Sequence, residues 1–441
     1  MKGEILKLVK KVKSDEILSK SSSSFVLRVF GFLSSYLFTY IVTQYFGAET
    51  QGMFALCMAT AAIFAVFPSL GFNINLVKTI SSGSENENFK DLYLKIISLV
   101  TILSVILGIS LFYFSEFISE QIFFNSKMTS LLKTTSFLIL PTVFIAINGG
   151  VYRGLKRINI FTFISGSLGK FLLSSLFLFS VVLFFNVENQ QFPLYCYLTT
   201  MWILALYSLF DISLTLFKLK GKNKYNIKNY IMESLPMLFS SSLFIFLGFI
   251  DTFMLGYFES EKIVGYYSVA LKLSVLSSFF LASINAILSP VLSKLYKEKK
   301  MDVFQEKVQL TAKINFFLSG GITFVIMLFA PFFLNIYGED FKTASTVLII
   351  LCFGQLVNSI SGSVGNILNM TNNQTVFKNI ILFSFILNVL LNLLLVIKYG
   401  MVGVATASVI TIISWNLLSV YYVKKKLGVI SFYNPFFKKT K

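Results

Sequence analysis

Twelve long apolar runs alternate with short polar connectors along this chain, and the runs are all of similar length. A helix needs about 20 apolar residues to cross roughly 30 Å of hydrocarbon at 1.5 Å per residue. In the first half such runs cover residues 25–45, 53–77, 93–114, 129–151, 160–185 and 192–217. In the second half they cover 231–257, 264–288, 314–336, 344–370, 380–397 and 402–423. The pattern predicts an all-α, polytopic membrane protein with about twelve transmembrane helices.

The connectors fix an orientation, because Lys and Arg near a helix end are retained on the cytoplasmic side. Thirty of the 38 Lys and Arg residues fall in the N-terminal tail, the C-terminal tail and every second connector between them. Lys127, Lys133, Lys262, Lys342 and Lys398 lie on the opposite side, and Arg28, Lys170 and Lys272 lie inside spans. Both termini are therefore expected in the cytoplasm. Residues 1–24 carry Ile5, Leu6, Leu8, Val9 and Val12 among lysines, a composition suited to an amphipathic segment on the inner membrane surface.

An internal repeat divides the spans into two sets of six. Tyr45-Phe46-Gly47-Ala48-Glu49 returns as Tyr257-Phe258-Glu259-Ser260-Glu261, 212 positions later (257 − 45). After one inserted residue the offset becomes 213, pairing Gly52 with Gly265, Leu138 with Leu351, Gly149 with Gly362, Val151 with Val364 and Leu155 with Leu368. The expected organisation is an N-terminal six-helix lobe at 25–217, a basic linker at 218–229, a C-terminal lobe at 230–424 and a basic tail at 425–441. Six crossings return a chain to its starting side, so such lobes are related by an axis along the membrane normal, a parallel pseudo-twofold repeat.

Composition then removes whole classes of function. The chain is 55% hydrophobic and 13% charged, more apolar surface than a soluble core hides. Its net charge of +18 is spread over seven patches beside lipid, which suits anionic headgroups and excludes a gathered nucleic-acid face. There is no histidine, hence no His-based triad, general acid or usual zinc site. No Gly-Lys-Ser/Thr phosphate loop is present, and Cys57, Cys196 and Cys352 all fall within spans. The chain is read as a transporter, not an enzyme, with no cofactor and no catalytic or metal-ligating residues.

Several stretches carry a family likeness. Tyr45-Phe46-Gly47-Ala48-Glu49-Thr50-Gln51-Gly52, Leu70-Gly71-Phe72, the run from Val264 to Leu273 and the run from Leu288 to Tyr296 resemble the Wzx-type oligosaccharide flippases. These belong to the multidrug/oligosaccharidyl-lipid/polysaccharide exporter superfamily. The resemblance implies two lobes that open a central cavity to either side in turn, in the bacterial cytoplasmic membrane. It also implies an undecaprenyl-diphosphate-linked oligosaccharide as cargo for O-antigen or another surface polysaccharide, with a polymerase and chain-length proteins as partners. The alternative within the same fold is an ion-coupled antiporter of drugs or metabolites.

A diphosphate crosses hydrocarbon only if the protein matches its charge, so cations at depth are the candidate substrate contacts. They are Lys170, about 15 Å into the fifth span, Lys272 in the eighth, Arg28 in the first and Arg153 at the end of the fourth. An ionised side chain at the bilayer centre costs about 2.5–3.5 kcal/mol on insertion scales, which favours positions facing protein or water. Arg157 and Lys156 are assigned to orientation alone. Asp251 and Asp211 are the candidate counter-ions or coupling sites for Na+ or H+. Tyr266 and Tyr267 read as interfacial anchors.

Overall fold

The computed structural model describes residues 16–81, 89–184, 189–216 and 226–434. Most of the N-terminal amphipathic segment, the linker up to residue 225 and the tail from 435 lie outside the described residues; positions 16–24 open the first helix. Seventeen α-helices and short π and 3-10 stretches make up the fold, with no strand among the described residues.

The chain divides into two compact units, Met1–Ile245 and Phe246–Lys441. The first holds α1 (Glu16–Ser69), α2 (Phe72–Ser81), α3 (Phe89–Phe117), α4 (Lys127–Ser136), α5 (Ile139–Gly154), α6 (Ile158–Ile164), α7 (Ser167–Phe184) and α8 (Phe192–Leu216). The division falls inside α9 (Ile227–Phe258). The second unit continues with α10 (Glu261–Ser274), α11 (Ser278–Lys297), α12 (Met301–Asn315), α13 (Gly321–Leu328), α14 (Ala330–Asn335), α15 (Ser345–Ser361), α16 (Val364–Met370) and α17 (Gln374–Leu427).

Among the described residues, ten helical stretches are long and apolar enough to cross a membrane, and two of them are hairpins. A straight helix of 54 residues, the length of α17, would run about 81 Å, far beyond one bilayer. Gly400, with φ 52° and ψ −134°, breaks it, and Asn388 Nδ2 reaches Ser408 Oγ at 3.4 Å across the break. Gly47, with φ 82° and ψ 177°, breaks α1 likewise, bringing the Phe38 and Phe54 rings to 5.2 Å. Each stretch carries two crossings, so the expected twelve are present.

The repeat is visible in where helices start. The third span begins at Phe89 in one unit and Met301 in the other, and the fourth at Lys127 and Glu339, both 212 positions apart (301 − 89 and 339 − 127). The lipid-facing surface is apolar: Phe30, Leu33, Leu37, Phe179 and Leu394 are among many exposed large side chains, as expected where the solvent is hydrocarbon.

Several expected spans are interrupted. The second breaks at Leu70 and Gly71, the tenth at Gly362 with φ 73°, and the fifth between α6 and α7 at Ser165 and Gly166. Ser165 turns its hydroxyl to the Ile145 carbonyl at 3.2 Å, and a Ser-Gly pair is a usual place for a helix to break. Lys170 consequently stands in the first turn of α7 and not ten residues into one continuous helix. The ninth span starts at Met301, thirteen residues before its apolar run, because α12 extends beyond the membrane-like segment.

After α17 the chain turns back as a strap over residues 429–434. Gln305 and Gln309, one turn apart on α12, grip its backbone. Gln305 Oε1 accepts the Ile430 amide at 2.8 Å and its Nε2 donates to the Ile430 carbonyl at 2.9 Å. Gln309 Nε2 donates to the Ile430 and Phe432 carbonyls, both at 2.8 Å, and its Oε1 accepts the Asn434 amide at 3.0 Å. The Tyr433 ring lies 5.8 Å from Phe316. Replacing Gln309 by Ala is expected to speed amide exchange over 429–434 by about tenfold or more. Exchange that stays at the wild-type rate would mean that side-chain contacts alone hold the strap.

Candidate functional site

The most enclosed carboxylate of the second unit among the described residues is Asp251, 5% exposed, on the C-terminal half of α9. Three elements converge on its carboxylate. Tyr267 of α10 donates its hydroxyl to Oδ2 at 2.7 Å, and Asn392 on the first arm of α17 donates Nδ2 to Oδ1 at 3.0 Å. Ser408, on the second arm beyond the Gly400 break, donates to Oδ2 as well. Asn392 also donates to Asn388 Oδ1 at 3.0 Å, and its own Oδ1 is buried without a hydrogen-bond partner. No salt bridge to Asp251 exists among the described residues.

The arrangement is a single negative charge within a shell of neutral hydroxyl and carboxamide groups. Hydroxyls of Tyr267 and Ser408 rotate to offer lone pairs, and the Asn388 and Asn392 carbonyl oxygens complete a hard donor set. Such a set suits a small monovalent cation: one carboxylate balances one charge, and the unpaired Asn392 oxygen lacks only a partner. The described residues hold no cluster of three or more His, Cys, Asp or Glu. Protonation of the Asp251 carboxylate is the other way to neutralise the pocket.

Tyr267 corrects the expectation of an interfacial anchor. It is fully buried and serves Asp251, while Tyr266 points its hydroxyl toward Asp340 at 3.4 Å. The second unit encloses the Tyr267 ring, so it has no surface left to offer a headgroup.

The first unit holds Asp211, on α8, in a different setting. Arg157 grips it with both arms of the guanidinium, Nη1 to Oδ2 at 2.7 Å and Nη2 to Oδ1 at 3.0 Å. The same guanidinium stacks over the Tyr152 ring at 5.3 Å. A bidentate fork of this kind is strong and directional, so Arg157 has a bonded structural role in addition to its place in a basic connector.

Arg153 is half-buried in the last turn of α5, with no acidic partner among the described residues. Its Nη2 donates to the Asn73 carbonyl at 3.3 Å and its guanidinium lies 5.1 Å from the Phe161 ring, yet Nε is buried and unpaired. Asn73 Oδ1, beside it, is also buried and unpaired. The half-buried Lys170 ammonium has no hydrogen bond or ion pair among the described residues. Arg28 is half-buried on α1 between the exposed Phe25, Val26 and Phe30, and Lys272 is half-buried in the last turn of α10. Lys170, Arg28 and Arg153 belong to the first unit and Lys272 to the second.

Asn388, Asn392 and Ser408 escaped sequence reasoning. Two carboxamides four residues apart inside the apolar run 380–397 put two polar groups on one helix face, and that was the available signal. Ser408 gave none, since serines occur throughout the spans.

The geometry meets a consistent set of relatives. The sequence model of the polysaccharide biosynthesis protein family matches residues 17–296, and the MatE model matches 236–394. The chain is 23% identical over 417 residues to the probable low-salt glycan biosynthesis flippase Agl15 of Haloferax volcanii, covering 94% of this chain and 85% of that protein. It is 23% identical to the capsular polysaccharide biosynthesis protein CapF of Staphylococcus aureus, covering 91% and 98%. Its fold is that of the lipid II flippase MurJ in an inward closed conformation, at a TM-score of 0.73 and 17% identity over 94% of this chain and 90% of that one. Since the first of these matches extends over more than half of its residues, the chain belongs to the polysaccharide biosynthesis protein family, within the multidrug/oligosaccharidyl-lipid/polysaccharide exporter superfamily.

Proposed function

We propose that this protein flips an oligosaccharide carried on undecaprenyl diphosphate from the cytoplasmic to the outer leaflet of the bacterial cytoplasmic membrane, by alternating access. The observation that carries the reading is the uncompensated positive charge of the first unit. Arg153 and Lys170 lie within apolar spans and have no carboxylate partner among the described residues. Charged groups in such places are costly unless a ligand or another charge answers them, and a diphosphate is the answering chemistry. Lys272 and Arg28 join them as further headgroup contacts. The flippase names of the relatives support the cargo class, and the product would feed a polymerase and chain-length proteins.

In this reading Asp251 couples transport to Na+ or H+. The cation or proton neutralises the carboxylate, and Asn388, Asn392, Tyr267 and Ser408 hold it by oxygen contacts from α10 and both arms of α17. The MatE match keeps ion-coupled export of drugs or metabolites as the competing function. The unanswered cations oppose that function, since like charges repel amphipathic cationic cargo.

Charge reversal tests the reading. Lys170→Asp and Arg153→Asp are each expected to slow flipping of a lipid-linked oligosaccharide in proteoliposomes by about 10–100-fold, the worth of one charge-assisted hydrogen bond. The proteins should stay monodisperse in detergent. Wild-type flipping by both variants would remove these cations from the mechanism and, with them, the support for an anionic cargo.

A further inference from the structure

The internal repeat duplicates one more feature, and the copies differ in charge. Asn366 lies 213 positions after Arg153 and Asn285 lies 212 positions after Asn73, the two offsets that relate the halves (366 − 153 and 285 − 73). In the first unit Arg153 of α5 meets Asn73 of α2, leaving Arg153 Nε as an unpaired donor and Asn73 Oδ1 as an unpaired acceptor. In the second unit Asn366 is on α16 and Asn285 on α11. Ser289, one turn beyond Asn285, shares its single hydroxyl proton between Asn366 Oδ1, 2.8 Å away, and the Asn285 carbonyl, 2.6 Å away, which links α11 to α16. There too one buried donor, Asn366 Nδ2, and one buried acceptor, Asn285 Oδ1, have no partner.

A buried amide group left dry is unfavourable, and one such pair would be a local oddity. Recurrence of the same donor and acceptor deficit at repeat-related positions points to a purpose. The second copy has no charge in it, so an anion gains little there. A hydroxyl fits, because it donates one hydrogen bond and accepts others: its proton goes to Asn285 Oδ1 and its oxygen receives the Asn366 Nδ2 proton. Carboxamides facing a hydroxyl-rich ligand are well matched in this way.

We propose that Asn285 and Asn366 form a hydroxyl-binding subsite for the sugar part of the cargo, the neutral counterpart of the contact between Arg153 and Asn73, in which the Arg153 guanidinium meets the anion. The inference rests on the flippase reading above. It assigns the two chemistries of a glycolipid headgroup to two copies of one ancestral contact, with Ser289 as the positioning residue of the second.

The test uses the full-length protein in lipid nanodiscs and two probes with the same tail. Octyl β-D-maltoside, kept below its micellar concentration, presents hydroxyls, and octyl phosphate presents an anion. Asn366→Leu and Asn285→Leu are each expected to weaken octyl maltoside binding about tenfold, the loss of one buried hydrogen bond, with octyl phosphate binding unchanged. Asn366→Ser, which restores a donor, should recover part of the affinity. Unchanged maltoside binding in both leucine variants would show that the pair holds only a fixed water, and equal weakening of both probes would show a structural role; either result overturns the subsite. Arg153→Gln is the separate arm: a loss confined to octyl phosphate supports the division of labour. Failure of Arg153→Gln to weaken octyl phosphate would strike the anion reading while leaving the maltoside result to stand by itself.

Discussion

Asp251→Asn is expected to abolish the stimulation of flipping by an ion gradient while leaving a folded protein. The carboxamide keeps the size of the carboxylate and one acceptor oxygen, so Tyr267 or Asn392 retains a partner. What disappears is the negative charge that a cation or proton neutralises. Proteoliposomes with an imposed Na+ gradient, and separately with a pH gradient, measure this: the wild type should respond to one of them and the variant to neither. Full stimulation of Asp251→Asn by the same gradient would exclude Asp251 as the coupling site. Asp251→Ala should be harsher, because Tyr267, Asn392 and Ser408 all lose the group they donate to. Each unsatisfied buried donor costs about 1–3 kcal/mol, and only Asn392 has Asn388 to fall back on. A clear drop in melting temperature is therefore expected for Asp251→Ala and a small one for Asp251→Asn.

Gly71→Ala is the second large effect. Gly71 ends the first part of the second span with φ 73°, and a Cβ there would stand 2.5 Å from the Ser234 carbonyl oxygen and 2.7 Å from the Leu238 nitrogen. Both are backbone atoms of α9 within the same unit, and a helix backbone cannot swing aside as a side chain does. Left-handed strain and overpacking together are expected to cost about 2–5 kcal/mol. The nearby bonds from Asn75 Nδ2 to Ser234 Oγ, 2.9 Å, and between Thr79 and Tyr230, 3.1 Å, would be displaced with it. Gly428→Ala is the control: φ is 68° there, but nothing lies within 4 Å of the added carbon, so about 1 kcal/mol of backbone strain is all it meets. Equal melting temperatures for the two variants would show that the contact with α9 is not the constraint.

Apolar run length made the twelve crossings legible, because bilayer thickness leaves little freedom in helix length. The two hairpins were legible for the same reason, since a 54-residue helix has nowhere to go. The interruptions at Gly71, Ser165-Gly166 and Gly362 were not. Hydropathy continues through them, and only the backbone conformation, set by close neighbours, marks the break. Asp251 drew notice as a lone acid in a span, but two of its partners, Asn392 and Ser408, lie more than 130 positions away, a distance no local pattern carries. Tyr267 was misread because a Tyr-Tyr pair at the start of a span looks like an aromatic belt. Arg157 was misread because an arginine in a basic connector satisfies the orientation rule whether or not a carboxylate waits for it.

The strap over α12 has a consequence for how this protein tolerates change. Gln305 and Gln309 hydrogen-bond to main-chain atoms of residues 430–434, so their grip is indifferent to which side chains stand there, while Ser431 and Tyr433 are held by packing as well. A reporter protein fused beyond Asn434 would thus depart from one defined exit point, whereas trimming the end to Gly428 would leave both carboxamides of the glutamine pair with nothing to grasp.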